Sequence, residues 1–324
     1  MTNFNKLSDN ILQLSTGVFS GVTSYDTYEK GELSGLKLSE KNMVLTHAGE
    51  LVPAYTENHR RKNKYAVEFH RNGMIKAVYL EEQQEIETPI GTLPAELVTF
   101  YDSGEINRVF QLDGKTDGLW SEEEEIELAV SLNFDFDFSQ FTAKINSISF
   151  YKEGDIRSIC LYPREIIFVK TNNIEVPVRN GFSLYPTGEL ESIEPSEPFK
   201  IKTPVGEIFV YNPNAIGINA DNNSLRFYKD GKISELITSE NRVAVQTESG
   251  HLRIFAPYET ENPLDGESLM TIGLHIKFDY ESDIVTFTSK DPPISFSLSK
   301  TRFNIVPYLS CSSDCSSCSM KCSL

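Results

Sequence analysis

The sequence predicts an all-β protein built as a repeat array of antiparallel β-hairpins, a solenoid-like sheet carrying one short inserted helix. Three observations predict it. A word made of an alternating strand, an aromatic or histidine, two polar residues and a glycine recurs along the chain. A second glycine word follows it at near-constant distance, and the flanks of both words alternate between apolar and polar residues. Period-two alternation marks a strand with one buried face, and a glycine closing a short polar loop supplies the positive φ that a tight hairpin needs.

Residues 1–24 precede the first word and read as an N-terminal cap. The word itself appears as Tyr25-Asp26-Thr27-Tyr28-Glu29-Lys30-Gly31, Val67-Glu68-Phe69-His70-Arg71-Asn72-Gly73 and Val98-Thr99-Phe100-Tyr101-Asp102-Ser103-Gly104. It returns as Ile148-Ser149-Phe150-Tyr151-Lys152-Glu153-Gly154, Phe182-Ser183-Leu184-Tyr185-Pro186-Thr187-Gly188 and Leu225-Arg226-Phe227-Tyr228-Lys229-Asp230-Gly231. A decayed copy, Ile276-Lys277-Phe278-Asp279-Tyr280-Glu281-Ser282-Asp283, lacks the glycine and suits the atypical end of an array. The units therefore start near 25, 67, 98, 148, 182, 225 and 276 and fill residues 25–290, with 291–310 as a C-terminal cap strand.

The second word is Thr46-His47-Ala48-Gly49, Thr88-Pro89-Ile90-Gly91, Thr203-Pro204-Val205-Gly206 and Thr247-Glu248-Ser249-Gly250. Its glycine lies 18 residues beyond the first in three cases and 19 in the last, from Gly231 to Gly250. After Gly154 the matching position is Asn173, the residue type that best replaces glycine in a left-handed conformation. Each unit is thus two hairpins with one apolar face, and a lone unit cannot bury that face, so neighbours must stack or pair. A four-stranded unit repeated this many times also fits a β-propeller, the alternative closure.

One segment departs from the β pattern. Ser121 and Glu124 form a capping box, the acidic first turn suits the positive end of the helix dipole, and Ile126, Ala129 and Val130 share a face, so a short amphipathic helix is expected at about 121–132. It reads as a cover for a sheet edge or face, or as a docking element. The strand Asn133-Phe134-Asp135-Phe136-Asp137-Phe138 places phenylalanines on one face and aspartates on the other. Two carboxylates on a flat strand supply too few oxygens for calcium, which favours a solvated face.

Charge narrows the partners. With 47 acidic against 30 basic residues, the formal charge of -17 repels phosphate backbones and anionic lipid, so no nucleic acid is expected and a protein partner is. The basic run His59-Arg60-Arg61-Lys62-Asn63-Lys64 reads as a solvated loop between units or as an anion-binding patch. The N-terminus shows no leader pattern, and no stretch approaches the roughly 18 continuous apolar residues a membrane span needs, so a cytoplasmic, reducing location is expected.

The aromatic-x-x-Gly word and its flanking strands resemble degenerate MORN-type bacterial repeats over about residues 25–290. The fully spaced MORN glycines are missing, and the Thr-x-x-Gly word is not part of that pattern. What the resemblance implies is an antiparallel sheet serving as an interaction surface.

Four of the five cysteines fall in the tail 311–324: Cys311, Cys315, Cys318 and Cys322, spaced C-x3-C-x2-C-x3-C. Thiolates this dense in a reducing compartment point to an iron–sulfur cluster or tetrahedral zinc. On a helix the four would spread over ~16 Å, so one metal requires an irregular loop, which the intervening serines permit. The first three resemble the cluster triad of radical S-adenosylmethionine enzymes, although the barrel those enzymes place after it is not expected here. A tail of free thiols, or one modified or read by another protein, remains the other reading. Cys160, between Ile159 and Leu161, reads as packing.

No nucleotide-binding, zinc-protease or serine-hydrolase motif occurs, and His47, His59, His70, His251 and His275 are scattered. No catalytic residue is assigned. Three functional readings stand: a non-enzymatic interaction scaffold, a metal or cluster protein using the tail, and an enzyme with a site between repeats.

Overall fold

In the computed structural model the described residues are 3–58, 60–61, 65–114, 120–171, 174–215, 223–263 and 266–308. The molecule is all-β with a single helix among them. Its described residues fall into two compact units, the first made of 3–167 and 180–189, the second of 168–179, 190–215 and 223–308.

Both glycine words form hairpin turns, by two different devices. In the first word the glycine N–H donates to the carbonyl of the aromatic three residues back, and the aromatic N–H donates to the carbonyl just after the glycine. Gly104 N to Tyr101 O is 3.0 Å and Tyr101 N to Glu105 O is 2.9 Å, and the same pair closes the turns at Tyr28, His70, Tyr151, Tyr185 and Tyr228. The closing residue needs positive φ, as Gly188 shows at 92°. One pair inward the ladder slips by a residue, at Phe69↔Ile75, Phe100↔Ile106, Phe150↔Ile156 and Phe227↔Ile233, which adds twist to each hairpin. In the decayed copy the positive φ moves to Asp283, at 57°. Its carboxylate accepts from Ser299 Oγ at 2.7 Å and from Ser297 Oγ, tying down the next strand.

The second word uses its threonine. Thr203 Oγ1 donates to Gly206 O at 2.7 Å and accepts from Val205 N at 3.3 Å, and Thr46 and Thr88 do the same around Gly49 and Gly91. Thr247 differs: Gly250 N donates to Thr247 O and Thr247 N to His251 O, the geometry of the first word.

In the first unit the hairpins join edge to edge into one antiparallel sheet. Its order is Val22–Thr27, Leu33–Leu38, Val67–Phe69, Ile75–Thr88, Gly91–Phe100, Ile106–Phe110, Ser139–Phe150, Ile156–Leu161 and the end of Ile174–Leu184. In the second unit the order is Leu190–Pro195, Leu225–Phe227, Ile233–Thr238, Leu274–Asp279, Ile284–Thr288 and Ile294–Ser297. Propeller blades are separate sheets, whereas successive copies here pair directly, as in Leu36↔Val67 and Val109↔Ile148. The propeller alternative is therefore not the architecture formed.

In five copies the residue before the turn is a buried phenylalanine: Phe69, Phe100, Phe150, Phe227 and Phe278 are at most 3% exposed, Leu184 takes that place before Tyr185, and exposed Thr27 takes it before Tyr28. The turn aromatic itself bridges to the next copy. Tyr28 Oη donates to Phe69 O at 2.8 Å, His70 Nε2 to Phe100 O at 2.9 Å and Tyr101 Oη to Phe150 O at 2.8 Å. In the second unit Tyr228 Oη reaches Phe278 O at 2.7 Å. Each of these carbonyls precedes the next copy's turn, so one side-chain bond per step supplements the strand ladder.

Candidate functional site

The first unit holds one element that the repeat does not explain, the insertion between Ile106–Phe110 and Ser139–Phe150. It begins with the helix Glu122–Leu128, whose N-cap Ser121 accepts from Glu124 N while Glu124 accepts from Ser121 N, the predicted capping box. The helix is shorter than the expected 121–132. Ala129 turns extended, Val130 N donates to Gln111 Oε1 at 2.7 Å, and residues from Ser131 onward form a strand. Val130 is consequently exposed, while Ala129 packs with Leu112, Tyr162 and Ile126.

A buried charge cluster fastens this helix to the array. Glu125, 5% exposed, accepts from Arg60 Nη1 at 2.8 Å, Gly114 N at 2.7 Å and Trp120 Nε1 at 2.6 Å. Arg60 Nη2 also bonds Glu96 Oε1, and Glu96 Oε2 accepts from Asp113 N at 2.8 Å. Burial works against the Arg60 charge, but the bonds and fields of Glu125 and Glu96 outweigh it and raise its pKa. Tyr162 lies beside the cluster, and burial first, then the two carboxylates, push its phenol well above the usual range. A buried ion pair adds little net stability, but losing one partner leaves an uncompensated buried charge.

The basic run is thereby corrected in part. Arg60 serves the cluster, and Arg61, 8% exposed, donates to the carbonyls of Leu80 and Glu81. Neither is a solvated charge or a free anion receptor. His59, Lys62, Asn63 and Lys64 lie outside the described residues.

Beyond the helix the chain forms a two-stranded tongue. Ser131–Phe136 pairs with 139–144 through Asn133↔Thr142, Phe134↔Phe141 and Asp135↔Gln140. Among the described residues that is its only strand partner, so its outer edge carries unpaired N–H and C=O groups at every second residue. One face is a slab of half-buried rings: Phe134 stacks on Phe141 at 5.1 Å and Phe136 on Phe138 at 5.1 Å. Buried Phe182 meets Phe136 and Phe138 edge-on, both at 5.3 Å. The opposite face presents Ser131, Asn133 and Asp135, all exposed, and Asp137 is exposed at the tip. Leu128 and Val130, 47% and 48% exposed, lie where the tongue begins.

Cys311, Cys315, Cys318 and Cys322 lie outside the described residues, as does Asn173. Cys160 is 1% exposed in the strand Ile156–Leu161, a packing position. His70 serves the inter-copy bond, His251 contacts Ser249 Oγ at 2.9 Å, and His275 lies 3.6 Å from Glu235. Among the described residues no group of three or more histidine, cysteine or acidic side chains is placed to hold a metal. None of the described helices is long and apolar enough to cross a membrane. The sequence signal for the cluster was Glu96, a lone acid in the apolar run Leu93-Pro94-Ala95-Glu96-Leu97-Val98, which needs a cation when buried.

These features define an antiparallel hairpin-repeat protein with an anchored, open-edged insertion. Comparison with known protein families, characterised proteins and solved structures finds no match.

Proposed function

We propose that this protein is a non-enzymatic interaction scaffold of the MORN-like kind, in which the hairpin array holds a recognition element in a fixed pose. The observation that carries the reading is the tongue, where an unpaired strand edge and a half-exposed ring slab stand on a mount locked by Arg60, Glu96 and Glu125. Strand edges left open are liabilities unless something pairs with them. The turn aromatics Tyr28, His70 and Tyr101 are engaged in inter-copy bonds, which favours a structural role for them.

The test is affinity capture with the full chain and with a chain lacking residues 311–324. A stoichiometric partner retained by both supports the scaffold. Retention only by the full chain would move the function to Cys311, Cys315, Cys318 and Cys322 and to the metal or cluster they hold. Capture of nothing by either would defeat the proposal.

A further inference from the structure

The edge of Ser131–Phe136 has a chemistry that selects its occupant. A strand added there would set its side chains directly opposite those of the tongue, on the same two faces in alternation. On one face it would meet Asp135 and the neighbouring Asp137, on the other the rings of Phe134 and Phe136. No cation from this chain is paired with Asp135 or Asp137 in any salt bridge among the described residues.

We propose that the tongue edge binds, by β-addition, an extended segment of another protein in which basic residues alternate with aliphatic or aromatic ones. This rests on the scaffold reading and deepens it. The basic residues would face Asp135 and Asp137 while the apolar ones extend the phenylalanine slab, with Leu128 and Val130 lengthening the apolar approach. The segment's main chain takes up the unpaired N–H and C=O groups of the edge. A second copy of this chain is the wrong occupant. Its own edge, residues 131–137, carries no cation to set against Asp135 or Asp137, and two bodies of charge -17 would have to approach each other.

The probe is a synthetic eight-residue peptide of alternating lysine and valine, titrated into the full chain by fluorescence anisotropy, with an alternating glutamate–valine peptide as its counterpart. The wild type should bind the lysine peptide and not the glutamate one. An Asp135→Lys, Asp137→Lys double variant, altered only at exposed positions, should lose about tenfold or more in affinity for the lysine peptide, a difference of about 1.4 kcal/mol, and should gain binding to the glutamate peptide. Hydrogen exchange should slow at backbone amides of 131–136 when the lysine peptide is present. Equal binding of both peptides, or binding without protection of 131–136, overturns the inference. So does sedimentation showing a dimer held by this edge. If the peptides fail while the array still captures a partner, this inference falls and the scaffold reading stands.

Discussion

Replacing Glu125 with glutamine keeps the shape of the helix anchor and removes its charge. In the wild type that carboxylate takes three donors, the Arg60 guanidinium, the Gly114 N–H and the Trp120 indole N–H, with its side chain 7% exposed and that of Arg60 15% exposed. Glutamine offers one acceptor oxygen and sets an amide N–H against the remaining donors. Removing one partner of a buried ion pair costs about 3–5 kcal/mol. Glu96 still holds Arg60 on its other side, so the expected loss is about 2 kcal/mol, close to one charged hydrogen bond. Trp120 is the only tryptophan, so its emission during urea unfolding reports the first unit and the anchor together. The variant should show a lower midpoint and an altered native emission maximum. Glu123→Gln is the control, since Glu123 forms a 2.6 Å surface pair with Arg164 at 61% and 77% exposure, and surface pairs contribute little. An E125Q midpoint and emission matching those of E123Q would refute the view that the cluster locks the insertion in place.

Three further outcomes follow from other residues. Glu194 is fully buried, and burial pushes it up to about 7 against the hydrogen bonds from Ser224 and Asn212 and the field of Arg179. From the ordinary 4.5 up to that value the folded chain holds a proton the unfolded chain has released, so this group's contribution falls as pH rises through the window and is lowest above it. Glu194→Gln should therefore unfold later than wild type at pH 8, by about 1–3 kcal/mol, and nearly together with it at pH 4.5, as read by denaturant midpoints; equal midpoints at both would refute this. Gly181→Ala should disrupt folding of the first unit, because its Cβ would lie 1.8 Å from Ile159 O, whereas Gly188→Ala, with open space around it, should cost only about 1–2 kcal/mol for its positive φ. Equal thermal shifts for the two would refute the packing argument. Tyr101→Phe keeps the ring and deletes the 2.8 Å bond to Phe150 O, and a loss of about 1 kcal/mol in chemical denaturation is expected; no change would make the inter-copy bonds ornamental.

The hairpins were legible because a turn is a local event: the spacing of Gly31 and Gly49, or of Gly188 and Gly206, is written within one copy of the repeat. The capping box at Ser121 was legible for the same reason. The end of the helix was not, since it depends on Gln111, a residue from a neighbouring strand that takes hold of Val130. Arg60 and Arg61 looked solvated because charge runs are normally at the surface, and their partners Glu96, Glu125, Leu80 and Glu81 are supplied by other elements. The aromatic of the first word did carry a usable clue. Tyr28, His70, Tyr101, Tyr151, Tyr185 and Tyr228 all bear a polar donor, where packing alone would accept phenylalanine. Thr247 shows the opposite case, in which an unchanged word folds by another hydrogen-bond scheme.

The strand ladder of the first unit runs on past the base of the insertion. Arg108, Val109 and Phe110 pair directly with Ser149, Ile148 and Ser147, so the ladder of the first unit is continuous across the site from which the helix and tongue depart. Phe110 and Ser147 face each other, which is the spacing a two-residue type I′ turn closes. A chain in which residues 111–146 are replaced by Asn-Gly should therefore keep the array's β-sheet circular dichroism and a cooperative unfolding transition. Stability of the first unit should fall, because Tyr162 and Leu161 lose their cover and Arg60 keeps Glu96 alone. The lysine–valine peptide should no longer bind. If this chain instead collapses to a non-cooperative state, the helix and tongue are part of the core, and treating them as a recognition element mounted on an independent array is wrong. If it folds and still binds the peptide, the edge of Ser131–Phe136 is not the binding surface.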